Sequence, residues 1–158
     1  MIMSQRKHFL GAGHHGRRTR GVTLMELLVV IAIVSIIAAV AVPTYRKYLI
    51  RTQRSEAKIA LLQLQTAQEK FYMQNNTFTD NITAASPAGL GVLDVTETGK
   101  YDIRIVLAAD GQTYTATAAP HAGGGQQDDR ECATFTIDQR GTKGVSGGTR
   151  TAQECWRR

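Results

Sequence analysis

The chain has 158 residues, with 19 Lys and Arg against 13 Asp and Glu, for a formal charge of +6. Five of the cations (Arg6, Lys7, Arg17, Arg18 and Arg20) and none of the acids fall in the first 21 residues, so residues 22–158 carry 14 basic and 13 acidic groups, or +1. A balance so near neutral withdraws the compositional argument for nucleic-acid binding, and the about 115 residues left beyond the basic start and the apolar run after it suit one domain with a modest core, not a second catalytic one.

From Leu27 to Val42 there is no charge and Ser35 alone is polar. Counted from Val22, the segment of 21 residues is about 31 Å long as a helix, the thickness of a bilayer hydrocarbon core. Glu26 stands at its mouth. An ionised carboxylate in lipid costs about 3 kcal/mol or more unless it reaches the interface or finds a cation, and a helix that only anchors has no need of it. The plainer reading is a secretory signal with Ala39-Val40-Ala41 as its cleavage site, but such apolar cores are shorter and do not open on an acid. Arg17-Arg18 is not followed by the apolar residues of a twin-arginine signal.

After Pro43, Ala57, Ala60, Leu61, Leu64, Ala67 and Phe71 recur at three- and four-residue steps, which predicts an amphipathic helix. Pro43 removes one hydrogen bond and should bend the helix rather than end it. One long bent helix is expected to stop near Gln74-Asn75-Asn76, where Asn suits a C-cap. Phe71-Tyr72-Met73 reads as core packing with a snorkelling Tyr. Residues 77–99 read as a connecting loop.

Period-two alternation then places Tyr101, Ile103, Ile105 and Leu107 on one face, with Asp110-Gly111 as a hairpin signal. Tyr114, Ala116 and Ala118 alternate with Thr113, Thr115 and Thr117, and Ala133, Phe135 and Ile137 form a third run. Three or more antiparallel strands packed on the helix stripe give an α+β fold.

Cys132 and Cys155 are the two cysteines, and three of the four histidines (His8, His14, His15) lie in the first 21 residues. A zinc site is therefore not expected. The cysteines are either two buried thiols or a disulfide, which would add about 3 kcal/mol and requires an oxidising compartment, placing this domain outside the cytoplasm. Asp128, Asp129 and Glu131 lack the spacing of a calcium loop and read as a solvated turn. Gly141-Thr142-Lys143-Gly144 lacks the spacing and following helix of a phosphate-binding loop. His121, beside Pro120 and three glycines, is a poor setting for a rigid general base. No enzyme, cofactor or metal is expected.

Gly21-Val22-Thr23-Leu24-Met25-Glu26-Leu27-Leu28-Val29-Val30 resembles the type IV pilin signature, with Val22 where Phe is usual. The resemblance implies cleavage by the prepilin peptidase between Gly21 and Val22, N-methylation of Val22, and storage in the inner membrane before assembly. It also implies that Glu26 pairs with the Val22 amine of a neighbouring subunit; removing one of two such charges leaves the other unpaired in apolar surroundings. Pro43, twenty-second after the cut, and the glycine-rich end bounded by Cys132 and Cys155 are similar to the pilin pattern too. Tyr45, Arg51, Arg54, Glu56, Ala57 and Gln68-Glu69-Lys70-Phe71-Tyr72 look most like the E-type pilins, which include minor subunits. The expected division is a leader over 1–21, a membrane or filament-core helix over 22–43, its amphipathic continuation over 44–76, the loop 77–99, and a sheet with a disulfide-bounded end over 100–158.

The resemblance implies a structural pilus subunit acting in assembly, and hence in adhesion, twitching motility or DNA uptake. Its partners would be other pilin subunits, the prepilin peptidase, an inner-membrane assembly platform and the membrane itself. The folded domain would be periplasmic before assembly and extracellular in the filament. Alternatives are a type II secretion pseudopilin, a major pilin, or a DNA-binding pilin using Arg140, Lys143, Arg150, Arg157 and Arg158. Nucleic acid is the disfavoured partner, because a solvated loop is the default reading of that basic tail.

Overall fold

The computed structural model describes residues 21–157, so residues 1–20 and Arg158, on which part of the expected leader and of the basic tail fall, lie outside the described residues. A helix, α1, runs from Leu24 to Asn75 with Pro43 inside it. The chain divides into two compact units, Met1–Val40 and Ala41–Arg158.

In the first unit every described side chain is exposed. The apolar residues at 24–40 occupy all sides of the helix, as expected of a segment meant for an apolar medium rather than one face of a core. The Ser35 hydroxyl donates to the Ile31 carbonyl at 2.7 Å, so the polar group of the run is satisfied within the helix.

In the second unit, α1 buries Arg54, Ala57, Leu61, Leu64 and Gln68. Their steps of three and four place them on one stripe. Gln68 is fully buried because its amide closes both bonds to the backbone of Thr79, donating at 2.6 Å and accepting at 3.2 Å. The helix ends where expected: Asn76 takes φ 53° and its N–H reaches the Tyr72 carbonyl at 2.8 Å, a left-handed cap that Asn tolerates.

Four strands, β1 (Tyr101–Leu107), β2 (Tyr114–Pro120), β3 (Thr134–Asp138) and β4 (Lys143–Ser146), form an antiparallel sheet in sequence order. Ile103 faces Ala118 and Ala118 faces Phe135 across the ladders, so one face carries Tyr101, Ile103, Tyr114, Ala116, Ala118, Phe135 and Ile137 into the core with the helix stripe. Large side chains on β1 and β3 flank the alanines of β2. Gly111, at φ 68°, turns the β1–β2 connection, and a Cβ there would collide with the Thr77 side chain. Phe78 N–H bonds the Gly111 carbonyl at 2.9 Å, tying the start of the 77–99 loop to this turn.

Three elements were not expected from sequence, one of them the 3-10 turn Gln126–Asp128. The strand β4 has one large apolar residue, Val145, so it shows no alternation. A short helix, α2 (Ala152–Trp156), carries a full capping box of Thr151 and Glu154. Ala133 precedes β3 rather than lying in it. Cys132 and Cys155, both buried, are joined in a disulfide with Cα atoms 5.8 Å apart.

Candidate functional site

The N-terminal site is built by the first turn of α1. Thr23 precedes α1, and its hydroxyl accepts the Glu26 N–H at 3.2 Å, while the Leu27 N–H reaches the Thr23 carbonyl at 3.2 Å. Thr23 is thus the N-cap and Glu26 the third helical residue, where a carboxylate is also favoured by the helix dipole. Thr23-Leu24-Met25-Glu26 carries the Thr-x-x-Glu signal of a helix start in its sequence. Gly21, Val22 and Glu26 are all exposed. Among the described residues, a Cβ on Gly21 would meet nothing within 4 Å.

A second constellation holds the disulfide-bounded end against the helix. Arg54 grips Asp129 with two bonds, Nε to Oδ2 and Nη2 to Oδ1, each 2.7 Å, and reaches Glu131 Oε2 at 2.9 Å. The Asp129 side chain is 1% exposed. Its Oδ1 also accepts the N–H groups of Glu131 and Cys132 at 3.0 and 3.1 Å. Arg51 and Arg150 close on Glu131 at 3.2 and 3.3 Å. The solvated turn expected at Asp128, Asp129 and Glu131 holds for exposed Asp128 and is corrected for the other two: Glu131 is paired with three arginines, and Asp129 is buried because a bidentate guanidinium and two backbone donors replace its water. The hydrogen bond from Arg54, followed by those of its other arginine partners, holds the Glu131 carboxyl down at about 2. Burial alone would lower the Arg54 pKa, but its bonds to Asp129 and Glu131 outweigh that and raise it. Lys58, its pKa lowered by burial and by nearby Arg54, donates to the carbonyls of Cys155 and Arg157 at 3.4 and 3.2 Å. Sequence proximity gave no sign of these pairs, since Arg54 and Asp129 lie 75 residues apart.

The basic tail is largely engaged. Arg150 belongs to the Glu131 network, Lys143 stands 5.2 Å over the Trp156 ring, and Arg140 lies 3.6 Å from Asp138. Arg157 is exposed. His121 pairs with Asp102 at 2.6 Å. Among the described residues no group of three or more His, Cys, Asp or Glu is placed to hold a metal ion.

A helix apolar on every side needs lipid or other such helices around it, and here that helix leads into a sheet domain closed by a disulfide, the organisation of pilin-type subunits. The chain belongs to the type IV pilin family whose model is described as "Type IV minor pilin ComP, DNA uptake sequence receptor", which matches residues 43–136. A second model, the prokaryotic N-terminal methylation motif, matches residues 16–42. The chain is 44% identical over 63 residues to the type IV major pilin protein PilA of Myxococcus xanthus, covering 40% of this chain and 29% of that protein. It is 40% identical over 101 residues to a fimbrial protein of Neisseria meningitidis serogroup A, covering 63% and 55%. It is 34% identical over 105 residues to fimbrial protein EcpC of Eikenella corrodens, covering 66% and 65%. The chain thus spans less than two thirds of the length of these curated relatives. A solved type IV pilin from Shewanella oneidensis aligns with a TM-score of 0.47 and 21% identity, covering 69% of this chain and 99% of that one.

Proposed function

We propose that the chain is a minor subunit of a type IV pilus, structural rather than catalytic. Its leader, residues 1–21, is removed by the prepilin peptidase between Gly21 and Val22, and the new Val22 amine is methylated. The apolar helix 22–43 stores the subunit in the inner membrane with the disulfide domain in the periplasm, and the assembly platform then moves it into the filament core among other pilin subunits. Pro43 bends the helix, whose continuation 44–76 leads through the loop 77–99 to the surface domain 100–158.

The observation that carries this reading is the lone acid of the apolar helix: Glu26 is exposed on its first turn and followed by no charge until Arg46. In the filament core it pairs with the Val22 amine of a neighbour. Transfer from lipid to protein gains little hydrophobic energy, so helix packing and this pair supply the specificity. Glycine at 21 serves the peptidase. Glu26→Ala is expected to be cleaved normally yet to be depleted from sheared filaments; filament incorporation equal to wild type would remove the pairing.

A second reading, reception of DNA by the exposed domain, is favoured by the family description over residues 43–136. The five tail cations Arg140, Lys143, Arg150, Arg157 and Arg158 lie beyond that match. Within it, Arg104 and Arg130 are the exposed cations of the sheet domain and are the better candidates for phosphate contacts.

A further inference from the structure

In the second unit the helix stays exposed from Ala41 through Tyr48 and begins to be covered at Leu49 and Ile50. The last four exposed positions, Tyr45, Arg46, Lys47 and Tyr48, are the first charged and aromatic residues after the uncharged run closes at Val42. At about 100° per residue these four point to different sides and so ring the helix, and at about 1.5 Å per residue they stand roughly 5 to 9 Å beyond Val42. That is about the depth of one headgroup layer beside a hydrocarbon core.

Among the described residues their side chains make no hydrogen bond or ion pair to the folded domain. Tyr45 and Tyr48 are 62% and 65% exposed, and among the described residues neither hydroxyl has a hydrogen-bond partner. Arg46 and Lys47 have no ion-pair partner among the described residues, whereas Arg51, one turn on, is held by Glu131. No acidic residue occurs between Glu26 and Glu56, so the positive charge is not offset along this stretch. Tyr is suited to a boundary with one apolar and one wet side, and a cation beside an anionic membrane gains about fivefold in partitioning.

We propose that Tyr45, Arg46, Lys47 and Tyr48 form a collar that binds the anionic phosphate headgroups of membrane phospholipid at the periplasmic end of the stored helix. The proposal rests on the membrane-stored reading given above. The collar fixes the depth of the helix, and entry into a filament must strip these headgroups away, so lipid composition sets how readily the subunit leaves the membrane.

The test uses the full chain in phosphatidylcholine vesicles carrying trace spin-labelled phosphatidylglycerol or spin-labelled phosphatidylcholine, with the protein-bound lipid fraction read by electron spin resonance. Wild type is expected to prefer the phosphatidylglycerol label about fivefold or more, with the preference falling in about 1 M salt. Arg46→Gln/Lys47→Gln should lose most of it, while Lys70→Gln, an exposed cation farther along the helix, should retain it. Leader cations are common to all these proteins, so the difference reads the collar alone. An undiminished preference in the double variant would overturn the collar and leave these residues to contacts between subunits. Absence of protein-bound lipid with both labels would overturn the membrane-stored reading, and the collar with it.

Discussion

Asp129→Asn removes one charge from the grip of Arg54 while keeping its shape, and the structure sets what that should cost. The guanidinium is 10% exposed and the carboxylate 1% exposed, so water cannot replace the lost partner. Breaking a buried pair typically costs about 3–5 kcal/mol. Arg54 keeps Glu131 at 2.9 Å, which places the expected loss near about 3 kcal/mol, a large share of a typical total of about 5–15 kcal/mol. Arg54→Met should cost a similar amount, because Asp129 would stay buried with two backbone donors and no cation. The double variant Arg54→Met/Asp129→Asn removes both charges, so its loss should fall short of the sum of the singles by about 2 kcal/mol or more. Urea unfolding of the full chain in micelles, followed by fluorescence of Trp156 against Phe135 (ring centroids 5.8 Å apart), measures each value. Losses below about 1 kcal/mol for the singles, or strict additivity in the double, would refute the view that this pair clamps the disulfide-bounded end to the helix.

Reducing the disulfide, which closes a separation of 23 residues, should cost about 3 kcal/mol; a urea midpoint unmoved by reductant would contradict this. Glu131, held down at about 2 when folded, stabilises the fold fully above its unfolded value of about 4.3, and that contribution is lost as pH falls toward 2. Discounted for its partial exposure, the contribution is about 1 kcal/mol, and Glu131→Gln should flatten the acid limb of stability between about pH 4.5 and 2; an unchanged acid limb would sink the assignment. Gly21→Val should leave an uncut precursor in the membrane, read by mass, and normal maturation would refute the assigned cut. For DNA reception, Arg104→Gln/Arg130→Gln should weaken binding of a duplex and lower its salt slope by about 2, and an identical slope would return the role to other residues.

The α+β architecture was legible because its signals are local. The three- and four-residue steps through Ala57, Leu61 and Leu64, and the alternation through Tyr101 to Leu107, Tyr114 to Ala118 and Phe135 to Ile137, report which side of each element meets the core. Strand β4 was not, since Lys143-Gly144-Val145-Ser146 owes its conformation to pairing with β3 rather than to its own pattern. The Arg54–Asp129 clamp was hidden for a related reason. A cation on a helix and an acid in a polar loop look like solvated charges until tertiary structure brings them together, and Asp129 was accordingly misread. At the N-terminal site the candidate acid was conspicuous in the sequence without any fold, because Glu26 opens an uncharged run that lasts to Val42.

The central claim, a processed subunit that passes from membrane to filament, is tested most directly by the N-terminus and intact mass of the protein recovered from membranes and from sheared filaments. The account predicts a chain starting at methylated Val22 in both fractions, with the Cys132–Cys155 disulfide intact. A soluble chain starting near Val42, cut as an ordinary secretory signal and absent from filaments, would contradict it.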